Sequence, residues 1–180
     1  MTKKNTFAKT EVAKKLAEYK LPRYEELTPF PVLMHQLLKI LDSYLSIFCV
    51  PGEEKILTQS MINSYVYKRY IAPPVNKEYT RDHLIYLIAV GILKQIMPIS
   101  EVSQIIALQT AQYPKDVAYN YMCEEIEAAL HVTFGTRSFA EFKPSPTINT
   151  ELSETFNSAA IAFANKIYVK HSLYYTTTQE

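Results

Sequence analysis

Gln59 and Asn63 stand four residues apart, one helical turn, in a stretch whose other side is apolar. A carboxamide carries a donor and an acceptor side by side, so each can pair bidentately with an adenine edge in the major groove. Around them lie Ser60, Ser64 and Tyr67, hydroxyls suited to donate to phosphate oxygens. Lys68, Arg69, Lys77 and Arg81 follow, cations suited to neutralise phosphates. Ile62, Tyr65 and Val66 fall opposite this polar set and are expected in a core. The chemistry these residues offer is recognition of a duplex, not catalysis.

Other reactive residue types lack a catalytic arrangement. His83 is third in its expected helix, a place for capping or surface exposure. His35, His131 and His171 have no partners at metal-ligand spacing. Glu124, Glu125 and Glu127 meet the carboxylate spacing of a di-metal bundle only in part, and no Glu-x-x-His follows them. A Gly-rich phosphate loop and a Gly-x-Ser-x-Gly elbow are both missing from the sequence. Cys49 and Cys123 lie far apart in apolar helical settings and read as two reduced, buried thiols. The expectation is a protein with no catalytic residue, no metal site and no cofactor.

Helices must position the polar set. The spacing predicts a helix over about Thr6 to Tyr19, with Phe7, Val12, Leu16 and Tyr19 on one side, ending at Leu21-Pro22. Pro31 suits the first turn of a second helix, which reaches Phe48 before Pro51-Gly52 ends it. The third runs from about Gln59 to Tyr70 with Thr58 or Ser60 as N-cap. Residues 71–79 carry two adjacent prolines and are expected as an extended loop or a short two-stranded wing. Thr80 caps a fourth helix of about 17 residues by its pattern, with Leu84, Leu87, Ile88, Ile92 and Leu93 inward. Ser100 caps a fifth, Pro114 opens a sixth, and Gly135 is placed as the sixth helix's left-handed terminator. A loop with Pro144 and Pro146 leads to a last helix over about Thr150 to Leu173, and the tail from Thr176 is expected to fray.

Charge is distributed unevenly along the chain. The formal net charge is +1, yet residues 1–20 carry six Lys against two Glu. Residues 55–100 carry six bases against two acids, and residues 101–160 three bases against eight acids. Such a division lets a basic section face phosphate while an acidic one faces away. No apolar run approaches the roughly 18 residues that a membrane span needs. The basic start leads into no apolar signal core, so the expected compartment is the cytoplasm. With 3 Gly and 10 Pro among 180 residues, hairpins should be few and helices punctuated by proline should dominate.

The block from Leu57 to Leu84 reads as capped short helix, proline loop, aromatic, then Thr-capped helix, the layout of a winged helix module. Ile62 to Tyr65, Ile71-Ala-Pro-Pro, Tyr79-Thr80 and Ile99 to Ile106 resemble the N-terminal domain of MerR-type regulators. Two departures stand out. The compact first helix of that motif is replaced by 31–48 plus a charged connector, and the wing is short and lacks Gly-x-Arg before its Tyr. Leu21-Pro-Arg-Tyr-Glu-Glu-Leu27, Leu57-Thr-Gln-Ser-Met-Ile-Asn63, Tyr79-Thr-Arg-Asp-His-Leu84 and Tyr119-Asn-Tyr-Met-Cys-Glu-Glu125 resemble a bacterial family catalogued as domain of unknown function 1836.

These readings predict an all-α fold, a helical bundle containing a MerR-like helix-turn-helix module with a short or vestigial wing. Residues 1–30 form a basic helix and linker, 31–110 the DNA-binding module, and 111–180 a helical dimerisation or effector region. The expected function is a DNA-binding transcriptional regulator, with double-stranded DNA as partner. The alternative is a non-enzymatic protein-interaction module that keeps the winged-helix shape without reading DNA. A homodimer is expected through the last helix, whose stripe includes Leu152, Phe156, Ala159, Ala160, Phe163 and Ile167.

Overall fold

The computed structural model of the chain describes residues 7–136, 142–143 and 151–178. Seven α-helices and two short strands occur among them: α1 Glu11–Ala17, β1 Val32–Leu33, α2 Met34–Leu45, α3 Gln59–Tyr67, β2 Glu78–Tyr79, α4 Arg81–Leu93, α5 Ile99–Gln112, α6 Lys115–His131 and α7 Glu151–Thr177. The chain divides into two compact units. The first comprises residues 1–21 with 123–180, and the second residues 22–122.

The second unit is built around α4. Leu84, Leu87, Ile88, Ile92 and Leu93 are buried as expected, and Ile85, Ala89 and Val90 are buried too. A helix apolar on all sides has to sit inside its neighbours. Its backbone is tightly enclosed at Gly91, where a Cβ would come within 2.5 Å of Leu45 Cδ1 of α2. Leu37, Leu41 and Leu45 supply the buried face of α2 at helical spacing.

Several sequence expectations are corrected here. Pro31 does not open α2, because Val32 and Leu33 are extended and pair antiparallel with Tyr79 and Glu78. α2 therefore starts at Met34, where the Leu33 N–H is satisfied by Gln36 Oε1 at 2.9 Å. α3 stops at Tyr67 instead of Tyr70, and α4 at Leu93 after 13 residues. Pro98, not Ser100, is the residue before α5, so Ile99 is its first helical residue. Cys49 is only half-buried and extended, lying just past a 3-10 turn, whereas Cys123 is buried.

In the first unit, a 3-10 turn at Phe7–Lys9 and Thr10 precede α1, so the expected first helix is interrupted. Thr10 Oγ1 accepts the Ala13 N–H at 3.2 Å and begins α1 as its N-cap. Ala13 takes the buried place expected for Val12, which is exposed. Phe7 lies edge-on to Tyr168, with ring centroids 5.3 Å apart, and beside Phe134 and Tyr175. The buried Glu127 carboxylate accepts from Lys20 Nζ at 2.8 Å and from the Leu21 N–H at 2.9 Å. α6 passes into a π-helical turn at Val132–Thr136, and Gly135 within it does not adopt the left-handed conformation of a helix terminator. The expected proline loop falls largely on residues 137–141 and 144–150, outside the described residues.

α7 continues through Thr177, four residues beyond the expected end, and Thr176 Oγ1 donates back to Ser172 O at 2.9 Å. Phe156, Ala159, Ala160, Phe163, Ala164, Ile167 and Tyr168 are buried, while Leu152 is half-buried and Ser153 is buried. Their apolar stripe is therefore already used by the chain itself. No helix among the described residues is long and apolar enough to cross a membrane.

Candidate nucleic-acid interface

α3 begins because Thr58 is extended and its Oγ1 accepts the Met61 N–H at 3.3 Å. Of the two expected caps, Thr58 does the capping. Ser60 is the second helical residue, and its hydroxyl lies 3.1 Å from Thr58 Oγ1. Ile62 anchors the inner side with no exposed surface, and Met61, Tyr65 and Val66 are half-buried beside it. Burial pushes the Tyr65 phenol above its usual pKa, with a smaller contribution from Tyr86. Gln59, Ser60, Asn63 and Tyr67 are all exposed, Tyr67 at 88%. At 100° per residue these four fall within one sector, so the helix presents two carboxamides, a hydroxyl and a phenol together. Ser64 sits half-buried at the edge of that sector.

The end of α3 is closed by two backbone bonds. The Tyr70 N–H donates to Tyr65 O at 2.9 Å, and the Arg69 N–H to Val66 O at 3.0 Å. This 6→1 and 5→2 pairing requires a left-handed residue after the cap, a place where glycine is common. Here it is Arg69, with φ 63°, following Lys68 as C-cap. The next turn repeats the feature. Val75 and Glu78 exchange hydrogen bonds of 3.2 and 2.9 Å around Asn76 and Lys77, whose φ values are 52° and 65°. Two successive left-handed residues make the two-residue turn that fits the twist of a hairpin. Lys77 is thus at the tip of a tight turn within residues 71–79, whose strand β2 pairs with β1 and not with a second strand of that segment.

Arg69, Asn76 and Lys77 are the non-glycine residues with positive φ among those described. A left-handed L-residue costs roughly 1–2 kcal/mol. Both cations therefore sit where the backbone alone would favour glycine.

The segment 71–79 is tied to the start of α4 by His83. Its Nδ1 lies 3.0 Å from the Thr80 N–H and accepts from it, which leaves the ring proton on Nε2, 3.1 Å from Ala72 O. His83 is buried and meets Tyr79 edge-on, so the capping role foreseen for it is filled and a surface role is not.

Arg81 is placed differently from the other candidates. Its guanidinium lies over the Tyr24 ring, 4.8 Å from the centroid, and Nε donates to Thr28 O at 3.4 Å. It serves the packing of residues 22–30 at the start of α4. Elsewhere in the second unit, Lys55 pairs with Asp42 at 2.9 Å and Lys115 with Asp82 at 2.5 Å. Lys68, Arg69 and Lys77 make no ion pair among the described residues, and all three are exposed.

Sequence reasoning missed Lys94, whose Nζ donates to Ile56 O at 2.6 Å just ahead of α3. A lysine at the C-terminal end of an apolar helix was its available signal. Among the described residues, no group of three or more His, Cys, Asp or Glu side chains could hold a metal ion. The family model described as Domain of unknown function (DUF1836) matches residues 22–131. That span starts where the second unit starts and contains it whole. No curated protein and no solved structure matches the chain.

Proposed function

The chain belongs to the family described as Domain of unknown function (DUF1836), and from the geometry of its second unit we propose that it is a non-enzymatic, cytoplasmic DNA-binding transcriptional regulator of MerR-like type. The observation that carries this reading is the outer face of α3. Gln59, Ser60, Asn63 and Tyr67 are presented together, with the unpaired cations Lys68, Arg69 and Lys77 after them in the chain. Carboxamides read base edges, and flexible cations hold phosphates. The order of strand, helix, helix, two-residue hairpin turn and helix supports a winged module with α3 as its groove-facing helix.

Reading a two-fold operator takes two modules, so pairing of two chains belongs to this proposal. The buried stripe of α7 is not free for that pairing. Val169 and Leu173, 56% and 60% exposed, are the large apolar side chains that α7 leaves outside.

A second reading, a protein-interaction module without DNA binding, is favoured by a different observation. Phe30 and Val75 are 74% and 67% exposed, and the second unit carries nine bases against nine acids.

Titrating purified protein with a duplex from its own upstream region, at several salt concentrations, separates the two. Affinity is expected to fall linearly with salt on logarithmic axes, with two chains per duplex. Asn63→Ala should cost about 1–3 kcal/mol at one base step, whereas Lys68→Ala should weaken all duplexes alike and reduce the salt slope by about 1. Absence of salt-sensitive affinity for any duplex would remove the DNA role and leave the second reading.

A further inference from the structure

The helices α2 and α3 are joined by residues 46–58, too long a connector for covalent geometry alone to fix one against the other. Something else has to set the direction of α3. The Asp42–Lys55 ion pair is largely exposed, with side chains 37% and 63% accessible, and pairs of that kind contribute little. Cys49 Sγ reaches Glu54 O only at 3.8 Å. Ile56 and Leu57, the residues entering α3, are buried against α4. At Gly91 a Cβ would stand 3.3 Å from Ile56 Cγ2 and 3.4 Å from Leu57 Cδ1. One turn further along α4, the half-buried Lys94 places Nζ 2.6 Å from Ile56 O and 3.4 Å from Met61 Sδ.

We infer that Lys94 is the positioning residue of the α3 face: its ammonium ties the connector and the first turn of α3 to α4, and so sets the direction in which Gln59, Asn63 and Tyr67 point. An ionised donor makes a stronger hydrogen bond than a neutral one, and its loss leaves the Ile56 carbonyl unpaired close to a core. Burial lowers the amine's pKa from its ordinary value, the sign of a charge held partly out of water. The contact spans 38 positions in sequence, so it adds a polar tie to α4 where Ile56 and Leu57 already pack against it. The anchoring stands on geometry alone. Its consequence for base discrimination rests on the proposed DNA-binding function.

Amide hydrogen exchange on the full chain tests the anchor without DNA. In Lys94→Met, the Met61 and Ile62 amides should exchange about tenfold faster while those of Leu87 and Ile88 keep the parent rate, because the opening is local. Lys94→Arg should restore the slow rate, which a loss of packing volume would not permit. Lys94→Gln, a shorter neutral donor, should fall between and is read in the same way should Lys94→Met fail to fold. On DNA, the preference of Lys94→Met for the upstream duplex over an unrelated one of equal length should drop about tenfold, with affinity for the unrelated duplex retained. Parent-like exchange at Met61 and Ile62 in both neutral variants overturns the inference, as does equal acceleration throughout α4. A parent protein that ignores every duplex, while the exchange pattern appears, removes the proposed function and leaves the anchor in place.

Discussion

Arg69 holds a left-handed backbone at the closure of α3, where its N–H and that of Tyr70 must both turn back to the helix. Glycine at this place would relieve the Cβ clash, offset in part by the greater freedom of the unfolded chain. Arg69→Gly is therefore expected to raise unfolding stability by about 0.5–1 kcal/mol, read from urea denaturation. If the proposed function holds, the same change removes an exposed cation and lowers duplex affinity together with its salt slope. Opposite signs for stability and binding would mark a residue kept for its side chain. A destabilised Arg69→Gly would instead show that the arginine side chain itself supports the turn. At this scale the sequence was legible for residue type. It did not reveal the backbone conformation, because nothing in Lys68-Arg69-Tyr70 announces a left-handed residue.

Helix starts were easier to read than helix ends and strand partners. Thr58 and Thr80 announce α3 and α4 through interactions spanning three residues, which are visible in any local window. His83 adds what the window hides, since its Nε2 reaches back eleven residues to Ala72 O. It thus joins the start of α4 to the segment that leads into the 75–78 turn. His83→Ala should cost about 1–3 kcal/mol, because it orphans both the Thr80 N–H and the Ala72 carbonyl. It should also speed amide exchange at Val75 and Glu78 before α4 opens. A melting temperature and exchange pattern equal to the parent's would place the support of the 75–78 turn elsewhere. Periodicity assigns the apolar positions of α4 correctly, whereas Pro31 misleads. A proline compatible with a first helical turn is equally compatible with an extended residue, and the pairing of Val32 with Tyr79 decides the matter.

For the whole molecule, phenols shifted by burial shape the response to alkali. Burial raises the pKa of Tyr65, Tyr79 and Tyr86 above the ordinary value of 10.0. In the unfolded chain these groups ionise first, so the stability they carry is complete below about pH 10 and is lost as pH rises through the raised values. Lys94, lowered from 10.5, acts in the opposite sense, its stability contribution growing as pH approaches 10.5. The phenols predict a falling melting temperature above about pH 10, which Lys94 offsets in part. Tyr86→Phe should flatten that fall. Its hydroxyl is buried beside Ser103 without hydrogen-bond geometry, so its removal at neutral pH should cost nothing. An unchanged alkaline profile in Tyr86→Phe would assign the loss to other groups.

The sequence by itself determined the helical class, the capped starts of α3 and α4, the two-sided character of α3 and the family. Each of these is a local matter: spacing within a turn, a hydroxyl three residues from an orphan N–H, or a run of residues compared in order. Tertiary structure alone decided that residues 1–21 join 123–180 in one unit, that β1 returns to β2 and that α7 uses its own apolar stripe. It also decided that Arg81 belongs to Tyr24 and Thr28, and Lys94 to Ile56. A cation in a sequence can face phosphate, a ring or a carbonyl equally well. Which partner it meets depends on how distant apolar segments are buried together, and that is a property of the folded chain.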